Sequence, residues 1–326
     1  MFTDENRRDL EEKGFTVVPG VLTEAEADEY RKQFQDWIRD NFDEGSFPDT
    51  FKSLVHRYRV GHFAPSWSAR LKCTPVFAQL WGTDRLMTSV DTVAIGRPPE
   101  EGVEEFCSEE TRWLHVDQNP RRQGLHAVQG AVYLETADED DWTLEVLEGS
   151  NKLYDEFWKA HPFQNNDFIT TGKPTHRLTP SQIQWYLSKG CVIKRIPVPK
   201  GGLVLWDART IHANANPIKG RTHPKRWRWM VIVCMGPANW ASPNDLEQKR
   251  KVYEELLLTH HWPAQNIVIF EDKPAATRPK QELTEQPEVA RSLEARRLAG
   301  VEPYPPLKEG EKVVPLPKWH PDYQPH

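Results

Sequence analysis

The sequence has little of what marks secreted, membrane-spanning or nucleic-acid-binding proteins. Its four cysteines lie far apart and form no CxxC pair, which argues against a zinc knuckle or thioredoxin-type site and favours a reduced, cytoplasmic chain. No apolar run approaches the length of about 18 residues that a membrane helix needs, and the N-terminus has no apolar signal segment. No stripe of lysine and arginine is long enough to bind nucleic acid, and the net charge of −6 is ordinary. These absences favour a small molecule as the partner.

Strand-like runs dominate the middle of the chain. Segments rich in apolar and β-branched residues are 87–95, 128–134, 143–147, 191–198, 202–206 and 227–235. Few regular helices intervene between them. The pattern therefore predicts a mainly β protein with flanking helices, built as an antiparallel sandwich or barrel rather than as a wound parallel sheet.

Helices are predicted mainly towards the two ends. Thr23 and Glu26 have the capping-box spacing, and the apolar periodicity that follows predicts a helix to about residue 38. Shorter helices are predicted over 65–72, 75–81, 153–160 and 181–189. Beyond about residue 272 the composition changes to proline, glutamate, lysine and arginine, with one helix predicted over 288–298. We therefore divide the chain into one domain, residues 1–271, and a proline-rich C-terminal extension, residues 272–326.

One constellation has the chemistry of a metal site. His115 and Asp117 are two residues apart, and in an extended strand that spacing points both side chains to the same face. His212, which follows the apolar strand 202–206, is the best candidate for a third ligand. Two histidines and one carboxylate leave metal positions open, the arrangement associated with non-haem Fe(II) oxygenases. The open positions suit 2-oxoglutarate and dioxygen.

Arginines near the last predicted strand complete this hypothesis. The distant carboxylate of 2-oxoglutarate needs a cation, and the planar donor fork of arginine matches a carboxylate. Arg226 and Arg228 follow His212 in the chain, and the side-chain period of two places them on one face of the strand. Arg221, in the preceding loop, is the third candidate.

Taken in order, these segments resemble the phytanoyl-CoA dioxygenase-like family of 2-oxoglutarate oxygenases. The resembling segments are 14–22, His115-Val-Asp117, 143–152, 201–207 with His212, and the strand that begins near Arg228. The resemblance implies a double-stranded β-helix, the jelly roll of cupin-like proteins. It also implies that His115, Asp117 and His212 hold Fe(II).

The resemblance extends to the co-substrate. It implies a 2-oxoglutarate-binding arginine at the start of the last core strand, where Arg228 is the best match. Arg226 remains a competitor, because the gap from His212 is longer here than is usual in the family. A small polar residue two positions after that histidine, here Asn214, is also implied near the co-substrate.

The activity that the resemblance implies is oxidation of a substrate coupled to conversion of 2-oxoglutarate and dioxygen into succinate and carbon dioxide. Hydroxylation is the default outcome, and desaturation or cyclisation are the alternatives. Asp117 fills the carboxylate position, unlike in the halogenase variants, which lack that ligand. No motif for a nucleotide or for the phosphates of coenzyme A is present, so we expect a small free metabolite as the substrate.

Four polar residues are candidates for substrate contact. Gln129 and Tyr133 share one face of the predicted strand 128–134, and Gln118 and Arg121 follow the metal motif. The remaining histidines, including those at 126, 223, 260 and 261, are interpreted as ordinary core or surface residues.

Two other functions fit part of the pattern. A cupin-like metal-dependent isomerase or hydrolase would also use two histidines and a carboxylate. A jelly roll without catalytic activity would serve only as a binding protein. The arginine predicted on the last core strand argues against the first, and the complete ligand set argues against the second.

Overall fold

The computed structural model describes residues 1–101, 113–162, 175–270 and 274–321. Short strands occupy much of the middle of the chain. They are β1 Phe15–Val18, β2 Leu54–Val55, β3 Leu86–Thr88, β4 Val93–Gly96, β5 His115–Val116, β6 Arg122–Gln123, β7 Val128–Tyr133, β8 Thr143–Glu148, β9 His176–Arg177, β10 Val192–Ile196, β11 Leu203–Asp207, β12 His212–Ala215, β13 Arg228–Pro237 and β14 Lys318–Trp319.

The strands form two main antiparallel sheets. The larger has the order β1-β11-β7-β13-β4-β2, with β3 added against β13, and the smaller has the order β10-β8-β12-β5-β9. Strands distant in sequence are neighbours in both sheets, as β11 and β7 are, so the chain crosses repeatedly between them. This is the double-stranded β-helix, or jelly roll, and the predicted fold class is confirmed.

Alternation along the strands separates two apolar layers. On β11, Leu203 and Leu205 face the helices, whereas Val204 and Trp206 face the smaller sheet. Both faces are therefore covered, which explains why every residue of β13 is buried. Several residues of the layer between the sheets, including Val204 and Trp206, also line a cavity.

Most of the helices cover the outer face of the larger sheet, whereas two short ones, Tyr154–Ala160 and Pro180–Ser188, pack in one apolar cluster with the smaller sheet. The helices are α1 Asp4–Lys13, α2 Glu24–Asn41, α3 Ala64–Trp81, α4 Tyr154–Ala160, α5 Pro180–Ser188, α6 Pro243–Glu254 and α7 Leu293–Leu298, with 3₁₀ turns at Val60–His62, Pro99–Glu101, Ser150–Leu153, Ala238–Trp240 and Glu288–Arg291. The capping box predicted at Thr23 and Glu26 is present at the start of α2. None of the described helices is both long and apolar enough to cross a membrane.

Four predicted elements differ from the structure. The helices predicted over 65–72 and 75–81 are one helix, α3, which continues through Pro75. The strand predicted over 87–95 is divided into β3 and β4. The helix predicted over 288–298 is interrupted at Ser292, whose extended backbone and side-chain bond to the Ala295 amide begin α7 as a new helix.

Part of the C-terminal extension packs against the domain. Ala290, Ala295 and Leu298 are buried in the same apolar cluster as Trp67 of α3. Farther on, β14 pairs with β6. The predicted boundary between residues 271 and 272 lies outside the described residues, and the division of the chain stays a prediction.

Candidate active site

The three predicted metal ligands meet beside the smaller sheet. His115 on β5 and His212 on β12 are direct cross-strand partners in the smaller sheet, and Asp117 follows β5. One ligand atom from each of the three residues lies within 4.8 Å of the other two. Sheet pairing therefore brings together side chains that are far apart in the chain.

Backbone carbonyls orient both imidazoles. The Nδ1 atom of His115 donates to the Trp113 carbonyl at 3.1 Å, and the Nδ1 atom of His212 donates to the Thr210 carbonyl at 3.0 Å. Each Nε2 atom then lies towards Asp117, at 3.4 Å for His115 and 3.3 Å for His212. A bond at Nδ1 fixes the tautomer that leaves a lone pair on Nε2, which is the form that binds metals.

Asp117 is almost completely buried, and its two oxygens differ. Oδ2 accepts a hydrogen bond of 2.8 Å from Nε2 of Gln129, whereas Oδ1 has no hydrogen-bond partner among the described residues. Burial acts to raise the pKa of this carboxyl, but the positive charges that His261, His115 and His212 can carry hold the pKa well below its ordinary value. A buried carboxylate oxygen without a partner requires a cation or a donor. The three side chains thus fit a divalent metal ion.

Arg228 lines the same cavity as the triad. It begins β13, and its guanidinium donates to Ser53 Oγ at 2.9 Å and to Asn214 Oδ1 at 2.8 Å. It makes no ion pair with any described residue. Burial lowers its pKa from the ordinary value. A buried arginine keeps its charge, so this cation is suited to an anionic ligand. Asn214 acts here by holding the guanidinium in place.

The structure does not bring the other two candidate arginines to the cavity. Arg226 is paired with Asp138 at 2.6 Å and with Asp141 at 2.5 Å. Arg221 is paired with Asp141 at 3.0 Å and with Glu100 at 3.2 Å. The alternation that placed Arg226 beside Arg228 fails because β13 begins only at Arg228, and Arg226 belongs to the turn before it.

The four substrate candidates divide into two pairs. Gln129 and Tyr133 on β7 both line the cavity. Gln118 and Arg121 do not line it. The Gln118 amide instead donates to two loop carbonyls and accepts from the His126 amide, so it holds the turn after β5. The pairs differ because Gln118 and Arg121 lie in a loop, where residue spacing does not show the direction of a side chain.

Two neighbouring histidines were missed by the sequence interpretation. His260 and His261, which follow α6, both line the cavity, and Nε2 of His261 lies 3.8 Å from Asp117 Oδ2. Burial lowers the pKa of His261 to about 4 and that of His260 to about 3. Their segment is irregular, so no strand alternation indicated where the side chains point.

The cavity has a volume of about 240 Å³. Its walls are mainly apolar and aromatic. Besides the residues already described they include Phe51, Leu54, His56, Asp91, Trp113, Trp206 and Phe270. Trp113 stacks on the His115 ring with centroids 4.3 Å apart, so the large aromatic residues near the triad also hold its imidazoles in place. An apolar cavity with a few convergent polar groups is typical of a small-molecule site.

Comparison with known proteins agrees with this geometry. The family model described as phytanoyl-CoA dioxygenase (PhyH) matches residues 10–217. A curated relative, Ava biosynthesis cluster protein O from Aspergillus versicolor, is 27% identical over 281 residues, which cover 80% of this chain and 88% of the relative.

Solved structures were also compared. GlcNAc Inducible Gene 2, GIG2 (DUF1479), from Candida albicans superposes with a TM-score of 0.65 at 13% identity, covering 94% of this chain and 78% of that one, which shows a shared fold. The epimerase SnoN in complex with Fe3+, alpha ketoglutarate and nogalamycin RO matches at a TM-score of 0.46 and 16% identity, covering 72% of this chain and 83% of that one.

Proposed function

The chain belongs to the phytanoyl-CoA dioxygenase (PhyH) family, and on that premise we propose that it is an Fe(II)- and 2-oxoglutarate-dependent dioxygenase that oxidises a small-molecule metabolite. The observation that carries the proposal is the combination of two buried groups in one cavity. Asp117 has an oxygen without a partner beside two imidazole Nε2 atoms, and Arg228 has a positive charge without a counter-ion among the described residues. A metal ion would supply the partner that the Asp117 oxygen lacks, and a dicarboxylate would supply the counter-ion that Arg228 lacks.

Each residue has a distinct role in this proposal. His115, Asp117 and His212 hold Fe(II), and Gln129 fixes the Asp117 carboxylate through its 2.8 Å bond. Arg228 binds the distal carboxylate of 2-oxoglutarate. Iron and 2-oxoglutarate together supply the activation of dioxygen, with succinate and carbon dioxide as products.

The surroundings of Arg228 keep it available for a ligand. Ser53 and Asn214 are neutral partners, so they orient the guanidinium without neutralising it. Arg226, in contrast, has two carboxylate partners and is already neutralised. This difference in charge, more than the position in sequence, supports Arg228 as the co-substrate residue.

The Asp117 carboxylate in the triad bears on which type of reaction we propose. Because Asp117 occupies the place of the carboxylate ligand, we propose hydroxylation, desaturation or cyclisation rather than halogenation. The mainly apolar walls exclude water from the reacting substrate and favour a substrate that is largely uncharged.

An anaerobic titration tests the proposal. Wild-type protein with Fe(II) and 2-oxoglutarate is expected to develop a weak visible charge-transfer band, and the His212→Ala variant is expected to lack it. His223→Ala is the matched control, because this half-exposed histidine lies outside the cavity. If the wild type shows no band and releases no succinate with any metabolite of a broad panel, the proposed function is wrong.

A further inference from the structure

The segment that follows α6 forms a wall of the cavity that the family match does not cover. The match ends at residue 217, whereas this wall contains His260, His261 and Phe270. The segment is firmly held: the Thr259 amide donates to the Val90 carbonyl at 2.8 Å, and Thr259 and Ile269 form an antiparallel bridge. The backbone that carries this wall is therefore held in place.

His261 is the member of this wall that approaches the triad. Its Nε2 atom is buried and has no hydrogen-bond partner among the described residues. The distance of 3.8 Å to Asp117 Oδ2 is too long for a hydrogen bond, and that oxygen already accepts from Gln129. A buried polar atom without a partner, on a residue that lines a cavity, is a group that a bound ligand can satisfy.

The position of Nε2 limits which ligand it can reach. A metal held by Asp117 would lie roughly 2 Å from a carboxylate oxygen. A ligand atom that hydrogen-bonds to Nε2 can therefore lie beside the metal position. An imidazole can donate or accept at Nε2 according to its tautomer, so it suits an oxygen-bearing ligand.

We propose that His261 hydrogen-bonds to the small oxygen-bearing ligand beside the Asp117 carboxylate, which is dioxygen in the proposed reaction. This hydrogen bond orients the ligand towards the substrate. The inference rests on the proposed function and assigns to that reaction a residue outside the family match. It does not make His261 a metal ligand.

His260 provides a matched comparison. It lines the same cavity and is the adjacent residue, but its ring stacks on Phe270 with centroids 3.9 Å apart. Replacing either histidine with leucine removes an imidazole from the same wall. Only the replacement at 261 removes the nitrogen that lies next to Asp117.

Nitric oxide, a stable substitute for dioxygen, is the probe. The full chain is loaded anaerobically with Fe(II) and 2-oxoglutarate, nitric oxide is titrated, and the electron paramagnetic resonance spectrum of the adduct is recorded. We expect His261→Leu to weaken nitric oxide binding roughly fivefold, the effect of one hydrogen bond of typical strength, and to change the rhombicity of the signal. His261→Gln, which keeps a donor, should restore part of both, and His260→Leu should change neither.

The alternatives give different results. An unchanged signal and affinity in His261→Leu, with the 2-oxoglutarate band intact, overturns this inference alone, whether or not the melting temperature falls. A loss of Fe(II) affinity of tenfold or more in that variant would show that His261 supports metal binding and does not only orient the cavity ligand, and it also overturns the inference. Absence of the 2-oxoglutarate band in the wild type, together with absence of succinate release, overturns the proposed function as well.

Discussion

At the scale of single residues, the two triad histidines are oriented by the same kind of hydrogen bond. In each, Nδ1 donates to the carbonyl of the residue two positions earlier, Trp113 for His115 and Thr210 for His212. Both rings are thus aimed by their own backbone before any ligand binds. The triad itself could be predicted from spacing, but ring orientation could not, because it depends on where two backbone carbonyls point.

The hydrogen bond from Gln129 to Asp117 gives a prediction for metal binding. Gln129→Leu removes the donor that fixes Oδ2, and we expect Fe(II) affinity to fall roughly 10- to 100-fold, as for other residues that support metal ligands. Anaerobic Fe(II) titration measures it. Tyr133→Phe is the control, since its hydroxyl lies on the same strand and bonds to none of the triad. Equal affinities in the two variants would contradict the role given to Gln129.

The uncompensated charge of Arg228 gives a second prediction. Arg228→Ala should retain Fe(II) but bind 2-oxoglutarate at least about 30-fold more weakly, because a buried charge-assisted contact is worth about 2 kcal/mol or more. The charge-transfer band, followed against 2-oxoglutarate concentration, measures this affinity. In Arg226→Ala, which breaks pairs with Asp138 and Asp141 outside the cavity, the affinity should stay within about twofold of the wild type. The reverse ranking would move the co-substrate role to Arg226.

At the scale of secondary structure elements, periodicity predicted the longer strands of the two sheets, such as β7, β8, β11 and β13, but it predicted neither the interruptions nor short strands such as β9 and β12. The strand predicted over 87–95 divides because residues between β3 and β4 bond elsewhere, as when the Val90 amide donates to Thr259 Oγ1. Such contacts join distant parts of the chain. His261 escaped prediction for the same reason, because its place depends on a segment held by tertiary contacts alone.

Pro75 gives a prediction at this scale. It is exposed in the interior of α3, where it cannot donate to the carbonyl four residues earlier. Pro75→Ala should therefore raise the free energy of unfolding by about 1–2 kcal/mol, after allowing for the freer unfolded chain. Urea denaturation measures the change. Pro65→Ala, in the first turn of the same helix, should give no gain, because no helical amide is needed there. Equal effects at both positions would contradict the prediction that Pro75 lowers the free energy of unfolding.

At the scale of the whole molecule, the C-terminal extension is joined to the active-site wall through one arginine. Arg122 on β6 lies between Trp262, at 3.6 Å from the ring centroid, and Trp319 on β14, at 4.5 Å. Trp262 directly follows His261. The proline-rich composition of the extension did not indicate this stack, since single aromatic residues in such a segment carry no periodic signal.

Trp319 is the residue with which to test that connection. Trp319→Ala should lower stability by about 1–2 kcal/mol, the scale of a partly desolvated cation–π contact, and should speed hydrogen exchange in the segment around Trp262. Hydrogen-exchange mass spectrometry and thermal unfolding measure the two effects. Leu316→Ala, at a position that is 66% exposed, is the control and should change neither. Unaltered exchange near Trp262 in Trp319→Ala would mean that the stack does not connect the two segments.

The arginine stack also sets an order of events during synthesis. The backbone carbonyl of Lys318, beside Trp319, accepts a hydrogen bond from the ring of His126. The two residues are 192 positions apart, so this contact closes a very long loop. A nascent polypeptide has both sheets available before residue 319 leaves the ribosome, yet the wall that carries His261 still lacks one of its supports. The strands of the jelly roll are therefore synthesised before the residue that completes the stack, so the cavity wall gains this last support only when the extension has been made.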